Sequence, residues 1–402
     1  MVVLEPFQVE VWMDRYENTP GVINISETCS ASISIDELVS LSASPKDQST
    51  ASIPIDKSTV LGYGPIKGSQ MLKERISAVY QMHAQASSSP PLPPDNILVT
   101  QGAISANFLV LYTLLGHGDH VVCVHPTYAQ LYAVPQSLGA YVSLWKLKKE
   151  KGFIPDVAEL ESLMIIINNP NNPSGAAIPE SVLKSIVDFA RSRDIIVFCD
   201  EVYWPLFHSL TPGIETPASI LTYGYDKVIS TGSMSKTYAL AGLRLGWVAC
   251  RDPAIVSAIA SARDYTTISV SQLDDQVARY ALSEPVLPNL LKRNLDMART
   301  NLEVLDQFVQ KHAHVCSWVR PNAGTTAFVQ FLGKDGEPVK DDEFCVDVLN
   351  RCKAMMVPGG LCFGLDDFPG YVRIGYVCHT QQLKEGLEAL SGYLVQRFES
   401  KD

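Results

Sequence analysis

Lys236 constrains this chain more than any other residue. It follows a short stretch, Asp226 to Thr231, whose apolar pattern predicts a buried strand. Two hydroxyls, Ser233 and Ser235, precede it, and Arg244 follows eight residues later. The small and apolar residues after the lysine read as the entry to a helix. An amine attacks an aldehyde only when its ammonium is destabilised by burial or by a nearby cation. Two hydroxyls and an arginine can grip a phosphate. Together these groups fit a Schiff base between Lys236 and pyridoxal 5'-phosphate (PLP), which needs a phosphate grip and an acidic partner for its ring nitrogen. A lone Ser-x-Ser-Lys string equally suits a surface lysine after a turn. The other motifs decide against that.

The stretch Asp194 to Cys199 predicts a strand that ends in Asp200, with Tyr203 three residues on. A carboxylate closing a buried run is costly unless paired, and a protonated pyridine nitrogen would pair it. A helix N-cap is the other reading of Asp200, and both stay open at this point. Tyr203 is within reach of the cofactor's phenolate oxygen. The stretch Ser162 to Ile167 predicts another strand, followed by Asn168-Asn-Pro-Asn-Asn172-Pro-Ser-Gly175. Its prolines and glycine set a rigid turn, and Asn172 offers an amide to the phenolate oxygen or to a substrate carboxylate. Asn96 to Asn107 reads as strand, tight turn and helix. Gly102 there allows close backbone approach, and the amides of Ala103 and Ile104 follow at a helix N-terminus. Tyr128, after the apolar run His120 to Val124, either stacks on a ring or fills the core. Arg373 lies inside the apolar stretch Tyr371 to Gly375, where it suits a bidentate carboxylate or an internal salt bridge.

Nearly the whole chain from Gly62 onward resembles the class I/II aminotransferase family, the fold type I PLP enzymes, in the order of these motifs. The resemblance implies an α/β fold: a large domain with a doubly wound, mostly parallel sheet and a smaller α+β domain. It implies that Lys236 is the Schiff-base lysine and proton shuttle, and that Asp200 holds the ring nitrogen. Asn172 and Tyr203 are expected at the phenolate oxygen, and Tyr128 on the ring. Gly102, Ala103, Ser233, Ser235 and Arg244 are expected around the phosphate, and Arg373 at the substrate carboxylate. Ile104 stands where many relatives carry a hydroxyl, which leaves backbone amides for the phosphate there. Tyr63, between Gly62 and Gly64, resembles the residue that crosses a homodimer interface to the partner's cofactor. The N-terminal stretch Ile23 to Ser32 lacks the glycine-rich segment of common aminotransferases. With Trp12 to Tyr16 and Arg263 to Thr267, it is more similar to the capreomycidine synthase branch, although Ala31 stands near where cyclases of that branch carry a histidine. Glu27 in this stretch is a candidate to face a cationic substrate side chain, or else a solvated glutamate.

An aminotransferase is therefore expected. The alternatives are β- or γ-elimination, replacement or cyclisation of an amino acid, and a PLP-binding module without chemistry. A regulator of that last kind would carry a DNA-binding domain, and no helix-turn-helix precedes Tyr63. A net charge of −11 argues against nucleic acid as the main partner. Nine cysteines without paired spacing read as reduced thiols, and no Cys/His cluster has zinc spacing, so no metal is expected. No basic start with an apolar core opens the chain, and no run is long enough to span a membrane, so a cytoplasmic enzyme is expected. The 402 residues are expected to divide into an N-terminal segment (1–56) packing with the small domain, a large PLP-binding domain (57–284) and a small C-terminal domain (285–402). A long amphipathic helix is expected from Leu290 to His312, a last helix near Gln381 to Phe398, and a Pro/Ser-rich connector over Ala86 to Pro94.

Overall fold

A computed structural model describes residues 4–42, 54–82, 89–160, 164–211, 216–364 and 367–399. The start of the Pro/Ser-rich connector (Ala86 to Ser88) and of the Ser162 strand lie outside them. The strands, in chain order, are β1 (Ile23–Asn24), β2 (Ile97–Thr100), β3 (His120–His125), β4 (Tyr141–Lys146), β5 (Met164–Asn168), β6 (Ile196–Asp200), β7 (Val228–Ser233) and β8 (Gly246–Cys250). They continue with β9 (Cys316–Trp318), β10 (Thr326–Phe331), β11 (Ala354–Met355), β12 (Val357–Pro358) and β13 (Tyr371–Gly375).

Seven of these form one sheet in the order β2-β8-β7-β6-β5-β3-β4. Only β8 runs antiparallel to its neighbours. The parallel pairs β3–β4, β3–β5, β5–β6 and β6–β7 require crossovers. The helices Gln130–Ser137 and Glu180–Ser192 supply those of β3–β4 and β5–β6 on opposite faces, while the described parts of the connections into β5 and β7 hold only short 3-10 turns. Burial on both faces explains why these strands read as continuous apolar runs rather than alternating ones. The two-residue period is still visible in the packing. Ile165 and Ile167 enter one core cluster, while Met164 and Ile166 enter the cluster on the other face. The helix Glu180–Ser192 shows the complementary pattern, burying Leu183, Ile186, Val187 and Ala190 on one stripe. The architecture is the expected α/β fold with a large, mostly parallel sheet.

A second, antiparallel sheet has the order β12-β13-β10-β9. It is accompanied by the helices Leu287–Lys311, Asp341–Cys352 and Thr380–Leu394. The first and last of these correspond to the two helices expected near the C-terminus. Strand β1 pairs in parallel with β11. The chain then runs alongside β13 and the Lys236 turn. Gly375 N–H donates to the Ile25 carbonyl (2.9 Å), Ala31 N–H to Val377 (2.7 Å) and Ser30 N–H to the Lys236 carbonyl (3.2 Å).

One local expectation is overturned. No α-helix follows Lys236. The chain turns through a 3-10 turn, Ala241–Leu243, with Ala239 (φ 57°) and Arg244 (φ 47°) in left-handed conformations. Met234 N–H bonds to the Leu245 carbonyl (2.9 Å) and Leu240 N–H to Met234 (3.0 Å), so the loop closes on itself. Strand β8 must return antiparallel beside β7, and the reversal leaves no length for a helix, whatever the propensity of its Ala and Leu residues.

Gly375 fixes how closely the N-terminal segment packs on β13. A Cβ there would lie 1.7 Å from the Glu27 carbonyl oxygen. Gly375→Ala is expected to destabilise the protein by about 1–3 kcal/mol, read as a lower midpoint of thermal unfolding. A midpoint equal to wild type would contradict this packing.

Candidate active site

The carboxyl ends of the parallel strands converge, as open α/β sheets arrange their ligand sites. Asn168 ends β5, Asp200 ends β6 and Ser233 ends β7, with Asn168 in register with Asp200 and Asp200 with Thr231. Beyond them opens a cavity of about 290 Å3. Lys236, Asp200, Tyr203, Asn172, Tyr128, Ser233, Ser235, Arg244, Ala103, Ile104, Arg373 and Glu27 all line it. Gly102 stands just behind, and Tyr63 lies elsewhere, 83% exposed on the surface.

Asp200 is buried, and among the described residues it has no ion-pair partner. Its Oδ2 accepts from Asn107 Nδ2 (3.0 Å) and its Oδ1 from the Val202 N–H (3.1 Å). Asn107 is itself oriented, because its Oδ1 accepts from Thr231 Oγ1 (2.6 Å). Burial pushes the Asp200 carboxyl up to about 6, against the two donors and the Lys236 charge. The helix N-cap reading fails, since a turn rather than a helix follows Asp200.

Lys236 Nζ bonds to Thr28 Oγ1 and lies 3.4 Å from Cys29 Sγ. Burial works against its ammonium, but Cys29, Tyr203 and Glu27 together hold its pKa above the ordinary lysine value, so the destabilised ammonium expected from the sequence is not found: anionic neighbours outweigh burial. Burial also raises the Cys29 thiol and the Tyr203 phenol, so both are neutral near pH 7. Glu27 is then the anion that sustains the ammonium. Burial alone would raise the Glu27 carboxyl, yet Lys236, the Thr28 N–H and Arg373 bring it below its ordinary value. Its side chain folds back onto the Thr28 N–H (2.6 Å) and Cys29 N–H (3.3 Å), and the residue lines the cavity while remaining exposed.

At one end of the cavity, Ser233 Oγ bonds to Ser235 Oγ (2.9 Å), and Arg244 Nη1 reaches Ser235 Oγ (3.4 Å). The helix Gly102–Leu114 points its N-terminus here, with no side chain capping its first turn. Gly102 has φ +76°, and a Cβ on it would lie 3.0 Å from Arg244 Nη2. A Cβ on Gly246 would strike the Gly102 carbonyl carbon at 2.5 Å. Two glycines thus bring free N–H groups, two hydroxyls and a guanidinium together, an anion-binding set. Ile104 contributes only backbone here, and its carbonyl accepts from Gln130 (2.7 Å).

At the other end, Arg373 is 2% exposed in the middle of β13. Its Nη1 donates to Asn172 Oδ1 (3.3 Å) and its Nη2 to the Ser26 carbonyl (3.1 Å), while Nε has no partner. No internal salt bridge forms among the described residues. A buried guanidinium without an anion leaves unmet a bidentate site for a carboxylate. The 169–175 turn is held by Asn171, which accepts from Ser174 Oγ (2.6 Å) and donates to the Pro126 carbonyl (3.1 Å). Tyr128 donates to Glu10 Oε1 (2.9 Å).

Thr28, Cys29, Asn107, Gln130, Glu10 and Glu17 are polar residues lining the cavity that sequence reasoning missed. Asn107, an amide inside the apolar helix stretch Ala106 to Leu111, was the one with a visible signal, because a buried amide needs partners. The others reach the cavity only through long-range packing.

A sheet of this order, with a lysine after β7 and an anion site at the N-terminus of the helix after β2, defines a fold type I architecture. Residues 41–390 match the family described as aminotransferase class I and II, and the chain belongs to that family. It is 35% identical to a PLP-dependent aminotransferase from Streptococcus suis, with a TM-score of 0.86 over 99% of this chain and 100% of that one. It is 29% identical to capreomycidine synthase of Streptomyces vinaceus over 82% of this chain and 79% of the relative. It is 28% identical to an aspartate aminotransferase of Thermotoga maritima over 76% and 77%. The fold is shared with the PLP-dependent cyclase OrfR (TM-score 0.82, 24% identity, 98% of each chain). No described helix is long and apolar enough to cross a membrane, and no described His, Cys, Asp and Glu residues cluster for a metal. All nine cysteines are free.

Next to Asp200, and turned away from the cavity, Glu201 is buried against Ser219 Oγ (2.6 Å), Ser230 Oγ (2.6 Å) and the Ile220 N–H (2.9 Å). Burial raises its carboxyl from 4.5 to about 7. A carboxyl that binds its proton more tightly when folded favours the fold below its unfolded pKa and loses that contribution as pH rises through the folded one. Glu201 is thus expected to cost about 3 kcal/mol of stability between pH 4.5 and 7. Glu201→Gln should raise the thermal midpoint relative to wild type more at pH 8 than at pH 5. Parallel pH profiles for the two proteins would contradict this.

Proposed function

We propose that this protein transfers the amino group of a free L-amino acid, with PLP bound through Lys236. The observation that carries the reading is a pair of buried, uncompensated charges on either side of Lys236: the Asp200 carboxyl and the Arg373 guanidinium. The residues present fit the cofactor. An anion set suits its phosphate, Asp200 suits a ring N–H, and Asn172 and Tyr203 suit its phenolate oxygen. Tyr128 would lie on the ring. When bound, PLP supplies an aldehyde for the amine and a ring that takes up the electron pair left at the α-carbon.

The chain's own groups do the rest. Arg373 and the Asn172 amide hold the substrate carboxylate and so fix the α-carbon. Lys236 Nζ takes the α-proton and returns it to a neighbouring carbon, with Thr28 and Cys29 positioning the amine between the two. Asn107 and Val202 keep Asp200 oriented and charged, and Thr231 holds Asn107. Glu27 adjusts the basicity of Lys236 from the substrate side. The family, and the 35% identity to the Streptococcus suis enzyme, support amino transfer. A second reading, elimination or cyclisation of an amino acid, is supported by the similarity to capreomycidine synthase.

The same proposal includes a homodimer in which Tyr63 reaches the partner's site. Val60 (85%), Leu61 (68%) and Tyr63 (83%) form an exposed apolar run, which a second copy would cover. The division near residues 57 and 285 into large and small domains belongs to this reading too.

Loaded protein, given L-amino acids without an acceptor, should convert its cofactor to the amine form with one equivalent of keto acid. A cofactor that ends unchanged beside a dehydrated or cyclised product would favour the second reading. Lys236→Ala should abolish the long-wavelength absorbance of lysine-bound cofactor, and retention of that band would remove Lys236 from its role. Arg373→Ala should raise KM for the amino acid by about 2–3 kcal/mol in binding, and an unchanged KM would place the carboxylate elsewhere.

A further inference from the structure

A line of hydrogen bonds leads from Lys236 to the surface. Its Nζ donates to Thr28 Oγ1, and Thr28 Oγ1 in turn donates to Glu27 Oε1 (3.5 Å). Chemistry fixes the direction. An ammonium only donates and a carboxylate only accepts, so the hydroxyl between them receives from the lysine and passes its own hydrogen to Glu27. The second link is long for an O–H···O bond, and the exposed carboxylate has the freedom to close it. Thr28 is buried and Glu27 is exposed, so one end of the line is the amine and the other meets water.

Each step of the line is anchored. Glu27 Oε1 also accepts from the Thr28 N–H (2.6 Å) and the Cys29 N–H (3.3 Å), which keep that oxygen beside the hydroxyl. The Thr28 carbonyl accepts from Thr325 Oγ1 (2.7 Å), and the Ser30 N–H donates to the Lys236 carbonyl (3.2 Å), so the segment stays on the lysine turn. The other groups near the amine offer no such path. The Cys29 thiol, 3.4 Å from Nζ, is a weak acceptor, and burial keeps its proton on. Burial keeps the Tyr203 phenol protonated as well. Asp200 is buried and already holds two donors, and Arg373 is a cation.

We infer that Thr28 and Glu27 form the proton outlet of Lys236, through which a proton taken from the substrate's α-carbon exchanges with water. This rests on the reading of the cavity as an amino-acid site, and it adds a path to that site. In the step, a proton moves from Nζ to Thr28 Oγ1 while the hydroxyl hydrogen moves to Glu27 Oε1. The lysine becomes a neutral amine, Thr28 ends unchanged, and Glu27 is a carboxylic acid until water takes the proton. An ordinary amine and carboxylate differ by about six pKa units, so the transfer is uphill and proceeds on the order of a million times per second. The neighbours of both groups widen that gap. About three further units would still leave roughly a few thousand transfers per second, no slower than ordinary turnover. Thr28 is the relay, and Glu27 acts through it.

The test gives the PLP-loaded protein L-amino acids deuterated at the α-carbon, without acceptor and in ordinary water. The abstracted deuterium is counted in the water and in the products and cofactor together. Wild type should release most of it to water. In Thr28→Val and in Glu27→Gln the ratio of released to retained deuterium should fall by about tenfold or more, and Thr28→Ser, which keeps the hydroxyl, should restore it. A variant that merely loosens the site slows the reaction without moving this ratio. A second readout needs no cofactor. Carbamylation of Lys236 by cyanate at pH 8, followed by peptide mass, should run about threefold or more faster in Glu27→Gln, because losing the anion lowers the lysine pKa by about half a unit or more. Retention of most deuterium in wild type, equal ratios in wild type and the two variants, or equal carbamylation rates would overturn the outlet and leave the amino-acid site standing. If no amino acid loses its α-deuterium, the underlying reading falls, and this one with it.

Discussion

A carboxyl group at the buried end of β6 organises the site. Asp200 is fixed by an N–H from its own turn and by an amide from the helix after β2. Both donors favour its charged form, and burial opposes it. No described cation settles the conflict. A carboxyl left in that state is costly in isolation, and its cost is removed by a bound cation with one N–H to offer. The sheet order serves this arrangement. Strands β5, β6 and β7 stand side by side, so that the Asn168 turn, Asp200 and the Lys236 turn open on the same space.

The second sheet supplies the complementary charge. Arg373 sits in the centre of β13, flanked in register by Phe328 of β10 and Val357 of β12. Its two partners are a carbonyl and an amide oxygen, which satisfy hydrogen-bonding capacity but not charge. The N-terminal segment runs between this strand and the Lys236 turn and places Thr28, Cys29 and Glu27 over the lysine. Its close approach depends on Gly375 having no side chain. The Lys236 amine is thus held from three sides: by its own turn, by the N-terminal segment and by the charged groups of the two sheets.

Much of this was legible in the sequence, for physical reasons. Strands buried on both faces leave unbroken apolar runs, so β3, β5, β6 and β7 announce themselves, and a polar residue at the end of such a run stands out. Asp200, Asn172 and Lys236 were found that way, and Arg373 as a charge inside such a run. The turn after Lys236 was misread because its Ala and Leu residues have helical propensity, while the antiparallel return of β8 and the close contact of Gly246 with Gly102 are tertiary facts. Thr28 and Cys29 were invisible as contacts of the lysine because 208 and 207 residues separate them from it.

The central claim is that the Asp200 charge is matched by a protonated ring nitrogen. The direct measurement is the nitrogen-15 chemical shift of PLP labelled at its ring nitrogen, bound to wild type and to Asp200→Asn, followed from pH 6 to pH 9. The account predicts a protonated nitrogen throughout that range in wild type and a deprotonated one in the variant. An unprotonated nitrogen in wild type, or identical shifts in the two proteins, would contradict it.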